Sequence, residues 1–164
     1  MTTEMFRHYF GYHFAENRAL WDNNIVNLTT GAFTQPGRYS RGSIQRQILH
    51  MIEVDEVWFC GLRGQEFPPP LDPAKFTNYE TIRAYWNAFE ASMRLYLDSL
   101  TPYILDSTPL EGEDETLRVW QVLLQVVNHG TDHRAQILRS LHDLGQKTTS
   151  QDYIFYAYNN KLKL

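Results

Sequence analysis

Apolar side chains recur every three to four residues in four separate stretches of the sequence, the pattern of helices with one buried face. In the first stretch Phe6, Phe10, His13, Asn17, Leu20, Trp21, Asn24 and Leu28 fall along one side. A histidine and two asparagines interrupt that otherwise aromatic and aliphatic stripe. A second helix is predicted after Gly42, with Ser43 as N-cap and a run toward Gly61 or Gly64. Its apolar residues cover a wide arc, so much of its surface should be buried. The third opens at Thr77-Asn78-Tyr79-Glu80, a capping-box pattern, and carries the stripe Ile82, Tyr85, Trp86, Phe89, Met93, Tyr96, Leu97 and Leu100. The fourth spans about 115–144, with Glu113, Asp114 and Glu115 at its positive end and Gly145 placed to stop it. Its stripe is Val119, Val122, Val126, His129, His133, Ile137, Leu141 and Leu144. Strict alternation is confined to short pieces near the C-terminus, so the chain reads as all-α.

The connections add a constraint. Residues 64–73 contain Pro68, Pro69, Pro70 and Pro73, which preclude a helix interior and favour an extended path across the end of a bundle. The segment 101–112 also bears prolines, and the tail 153–158 is too aromatic to be left in water, so it should pack against the helices. The 164 residues are 43% hydrophobic with a single cysteine, which suits one globular domain over 1–164 and excludes a disulfide scaffold. Fifteen Lys and Arg against nineteen Asp and Glu give a formal charge of -4, and no broad basic surface is available to neutralise phosphates. Nucleic acid is not an expected partner. The longest apolar runs, such as 57–62, fall far short of the ~20 residues a membrane span needs, and no apolar core of signal-peptide length opens the chain. A soluble, cytoplasmic protein is expected.

Candidate chemistry gathers in the fourth helix. Asn128-His129-Gly130-Thr131-Asp132-His133 is a run of poor helix formers inside a strongly apolar element, and Gly130 alone costs ~1 kcal/mol relative to alanine. A local rule broken inside a consistent helix marks a site. His129 and His133 are four apart on one face, close enough to grip one metal ion. The bare spacing is a weak motif, since six histidines placed at random give roughly 0.2 such pairs; what raises its value is the cost of two imidazoles on a buried stripe. The residue after His129 is glycine, not the glutamate of a zincin. A catalytic ion wants a third protein ligand. His8 and His142 lie opposite their stripes, which leaves His13 and His50, and spacing does not choose between them. His13 and Asn17 are candidates for lining a pocket. Asp132 could orient a ligand imidazole, with solvent-facing capping or pairing near Arg134 as its blander reading; Glu53 and Asp55 could serve as acid or base, with a solvated face the blander reading of Glu53; Cys60 reads as a small hydrophobe and the four tryptophans as core or interface. Gly130 between two candidate ligands is expected to answer a need for close approach or space.

Gly42-Ser43-Ile44 through Leu49-His50, Val57-Trp58, Trp120-Gln121-Val122-Leu123, and the block from Val127-Asn128-His129 through Asp132-His133-Arg134 to Gln136-Ile137 resemble the DinB family, and Leu144-Gly145 and Asp152-Tyr153 extend the likeness over the whole chain. The resemblance implies a four-helix bundle of up-down-down-up topology with a long Pro-rich crossover between helices two and three. It also implies a homodimer, and a divalent ion held by His50, His129 and His133 with an open position facing a pocket. Zinc or nickel suits such ligands first, with iron or manganese as alternatives. Thiol-dependent S-transferases of that superfamily make activation of a low-molecular-weight thiol, followed by attack on an electrophilic small-molecule substrate, the leading reaction class. A hydrolase using metal-bound water is the runner-up, and a non-catalytic metal- or small-molecule-binding stress protein is the third reading.

Overall fold

The apolar stripes become four long helices: α1 (Thr3–Asn23), α3 (Ile44–Leu62), α4 (Tyr79–Asp98) and α6 (Val119–Asp143). Three short ones, α2 (Thr30–Thr34), α5 (Pro102–Asp106) and α7 (Tyr153–Asn159), lie in the connections and the tail. These come from a computed structural model that describes residues 1–37 and 40–162, and no strand occurs among them. Each long helix packs on two others, α1 on α4 and α6, and α3 on the same two.

Two apolar clusters account for most of the burial. One joins Phe6 and Phe10 of α1, Phe59 and Leu62 of α3, Met93 and Leu97 of α4, and Val119, Val122 and Val126 of α6. The other joins Leu20 and Trp21 of α1, Ile44 and Ile48 of α3, Ile82 and Trp86 of α4, and Ile137 and Leu141 of α6. His13, Asn17, Asp55, His133 and Arg134 are buried as well but belong to neither cluster. A polar layer on α1, α3 and α6 therefore separates two greasy ends. The wide arc of α3 is covered within the chain, since ten of its residues, Ile44 to Leu62, are buried.

The ends of the helices depart from the sequence reading in three places. The first stripe does not run unbroken to Leu28: α1 stops at Asn23, and the amide of Asn24 donates to the carbonyl of Lys147 at 3.0 Å, spending the residue on a tertiary clasp. The third helix is capped by Asn78, whose Oδ1 accepts from the Thr81 N–H at 2.7 Å, rather than by Thr77. The last long helix begins at Val119, with Glu113 and Asp114 in a separate 3-10 turn. Its other end is as expected, because Gly145 takes φ +76 and lets Gln146 N–H reach back to Leu141. No helix among the described residues is long and apolar enough to cross a membrane.

The Pro-rich connection is strapped to α3 by side chains. Gln45 donates to the carbonyls of Pro73 and Phe76, and Glu53, expected in solvent, accepts the backbone N–H of Leu71. In the tail, the alternating residues are helical and half-packed: Tyr153 and Tyr156 lie edge-on against Tyr12, whose hydroxyl donates to Gln151 O at 2.6 Å, while Phe155 and Tyr158 face outward.

The cap assignment is testable by thermal unfolding. Asn78→Ala should cost ~1 kcal/mol of stability, whereas Thr77→Ala should stay within ~0.5 kcal/mol of the parent protein. The reverse order would restore Thr77 as the cap.

Candidate metal centre

His129 and His133 sit one turn apart on α6, and the packing of α3 against α6 brings His50 to them. One ligand-capable nitrogen from each of the three lies within 4.8 Å of the other two. The ring centroids are 4.4 Å apart for His129 and His133, 4.7 Å for His50 and His133, and 5.1 Å for His50 and His129. The Nε2 atoms of His129 and His50 are 3.3 Å apart. Two nitrogens bound to one ion at ~2.1 Å with tetrahedral angles would be ~3.4 Å apart. That pair is already at the edge length of such a site.

The electrostatics keep these imidazoles neutral. Burial, then the charge of Arg41 and of the other two histidines, pushes His50 down to about 4. Burial and His133 lower His129, and burial lowers His133 against the upward pull of Asp132. Neutral imidazole is the form that ligates metal. Arg41, which has only donors, reaches the Nε2 of His50 at 3.2 Å, so that nitrogen carries a lone pair and already faces a cation. Arg41 is exposed and can swing away at little cost.

The two helices of the site also hold unspent hydrogen-bonding capacity. Among the described residues, the buried side-chain polar atoms without a partner are Nδ1 of His129, Nδ1 of His133, Oδ1 of Asp55 and both amide atoms of Gln47. All are on α3 and α6, the two helices that carry the three histidines. Orphaned groups of this kind are costly in a closed core and call for an ion, a water or a ligand. Donor set and spacing together fit a divalent cation.

His13 and Asn17 are elsewhere. Both are fully buried, at 0% and 2% exposure, beside Arg134 and Asp55, each at 1%. Arg134 Nη1 lies 3.2 Å from His13 Nδ1 and 2.8 Å from Asn17 Oδ1. An arginine cannot accept, so His13 Nδ1 does, which puts the ring proton on Nε2, 3.2 Å from Asp55 Oδ2. The imidazole thus bridges a buried cation and a buried anion. Burial lowers its pKa while Asp55 raises it, with burial the larger cause. Arg134 also donates to Thr131 Oγ1 and Gln151 Oε1, tying the tail to α6.

The sequence reading missed the buried arginine, and it had Asp55 as an acid or base rather than a partner for His13. Asp132, one candidate for orienting a ligand, accepts from Gln136 at 2.9 Å. His142 is exposed, and His8, expected in solvent, is half-buried between Tyr153 and Tyr156. Gly130 has a specific cause. A Cβ there would stand 2.4 Å from Cε1 of His13, so the glycine lets the imidazole lie on the backbone of α6.

That contact sets the sign of a substitution. Gly130→Ala gains ~1 kcal/mol of helix propensity, yet overpacking against His13 should make it a net loss of ~1–3 kcal/mol. In a His13→Ala background the same change should become neutral or stabilising. Melting temperatures of the four proteins close the cycle, and a stabilising Gly130→Ala in the parent would refute the contact.

No curated protein matches the chain. The model of the DinB family matches residues 1–162. A match over almost the entire length, on a chain whose helices place three histidines together, leads to one conclusion: the chain belongs to the DinB family.

Proposed function

We propose that the protein is a metal-dependent enzyme in which His50, His129 and His133 hold one divalent ion, zinc or nickel, and that it transfers a low-molecular-weight thiol to an electrophilic small molecule. The observation that carries this reading is the convergence of three neutral imidazoles from two helices within 4.8 Å. An ion held by neutral ligands keeps its full charge and would supply acidification of a bound thiol at neutral pH. The chain's own part is to present three lone pairs, keep them unprotonated by burial, and hold α3 and α6 in register through the His13 bridge. The fold reading that accompanies this is a bundle of up-down-down-up course. It is supported by the two clusters, which pair the first turns of α1 and α6 with the last turns of α3 and α4, and the reverse.

Protein purified without a metal-affinity tag should carry one equivalent of divalent metal by elemental analysis, and His129→Ala should lose it. With thiols and electrophiles, turnover should follow metal content. Tight metal binding without turnover of any thiol would assign a binding protein instead, and absence of metal in the parent would end the proposal. Protons compete for the same lone pairs, so binding weakens as pH falls. Because the histidines are held below 6.5, and His50 at about 4, retention should persist below pH 6 and fail toward pH 4.

A homodimer belongs to the same proposal. The arc of α3 is used within the chain, and the outward Ile154, Phe155 and Tyr158 of α7 support self-association through the tail. Light scattering should give twice 19.3 kDa; a species of 19.3 kDa alone at micromolar concentration would exclude it.

A further inference from the structure

Beside His50, the outer edge of α3 and the Pro-rich strap enclose a cleft of 310 Å³. Val54, Val57 and Trp58 form one wall, and Pro68, Pro69 and Pro70 the other. Prolines offer no N–H, so the facing wall is apolar and poor in donors. The volume sits at the lower end of the range for small-molecule sites, about 300 Å³, the size of a one- or two-ring compound. Trp58 and Val57 also line a second hollow of 670 Å³ with Phe67 and Leu110, so the cleft has room to continue away from His50.

Its charge is one-sided. Glu53 and Glu56 line the cleft, and no lysine or arginine does among the described residues. Each glutamate has a partner that fixes it without cancelling its charge: Glu53 accepts Leu71 N–H, and Glu56 accepts the Tyr85 hydroxyl at 2.7 Å. Positive charge, from Arg41 at 3.2 Å from His50 and from any ion the histidines hold, is confined to the mouth; between the walls themselves an anionic group carried on the body of the molecule would meet two carboxylates and an apolar surface.

We infer that this cleft holds the body of the small-molecule substrate and selects a neutral or cationic ring compound over an anionic one. The inference rests on the reading of His50 as a metal ligand, since that ligand is what places the reacting end of the molecule at the mouth of the cleft. Strap and helix are held together by Glu53 and Gln45, so the cleft is a built feature and not an accident of a loose loop.

The test uses three naphthalenes of similar shape titrated into the full chain: 1-naphthylmethyltrimethylammonium, 1-naphthylmethanol and 1-naphthalenesulfonate. Binding is read from the indole N–H resonance of Trp58, assigned with Trp58→Phe. The cation and the alcohol should shift that resonance, and the sulfonate should bind at least tenfold more weakly than the cation. Glu56→Gln, which keeps an acceptor for Tyr85, should narrow the gap between cation and sulfonate. Val57→Trp, at a position 37% exposed, should fill the cleft and abolish binding with zinc stoichiometry unchanged. A sulfonate as tight as the cation, a silent Trp58 with all three probes, or full binding in Val57→Trp would overturn the inference. Zinc content is measured separately: a chain that selects the cation but holds no zinc refutes the metal reading alone, whereas a zinc-loaded chain that ignores the probes refutes the cleft alone.

Discussion

The arrangement of this protein depends on a buried charge pair whose members do not meet directly. Arg134 and Asp55 are both withdrawn from water, and His13 stands between them, accepting from one and donating to the other. A buried ion that loses its partner costs several kcal/mol. Three helices therefore have one relative height at which this layer is satisfied: α1 supplies the bridge, α3 the anion and α6 the cation. Gly130 makes the bridge sterically admissible, because the His13 ring needs the space that any other residue would fill.

The candidate metal centre lies on the other side of the same layer. His133 is adjacent to Arg134, and His50 is one to two turns from Asp55 on α3, so whatever fixes Arg134 and Asp55 also fixes how far apart the imidazoles sit. The two polar assemblies divide the labour in physical terms. The inner one is closed, with Arg134, His13 and Asn17 bonded to one another and one oxygen of Asp55 engaged by His13. The outer one is left with orphan nitrogens, and its histidines are kept neutral by burial, by the charge of Arg41 and, for His50 and His129, by the neighbouring histidines.

Much of this was legible in the sequence because it rests on periodicity. The four long helices follow from apolar spacing, Ser43 and Gly145 punctuate as their chemistry predicts, and the His129/His133 pair stands out by breaking the propensity of its own helix. What was not legible depends on partners distant along the chain. Arg134 follows a candidate ligand and looks like a surface residue, since nothing local says that His13, 121 positions away, will receive it. Glu53 reads as solvated for the same reason: its partner is a backbone N–H in the strap. Thr77 lost the cap to Asn78 by a single residue, a difference that pattern alone does not resolve. Which of His13 and His50 joins His129 and His133 also depends on long-range packing. His13 has the apolar stripe and the burial, but its two nitrogens are already committed to Arg134 and Asp55.

The separation of the three histidines along the chain also governs when the centre can come into being. The first and last of them, His50 and His133, bound the shortest piece of the sequence that contains all three. A nascent chain that has emerged only as far as the strap presents one solitary imidazole, which holds a divalent ion poorly. The last long helix must be made, docked on α3 and locked by the His13 bridge before three lone pairs converge. Any ion taken up by this cluster would thereby be tied to the end of synthesis and to correct docking, and a truncated or misfolded product would lack the converged set.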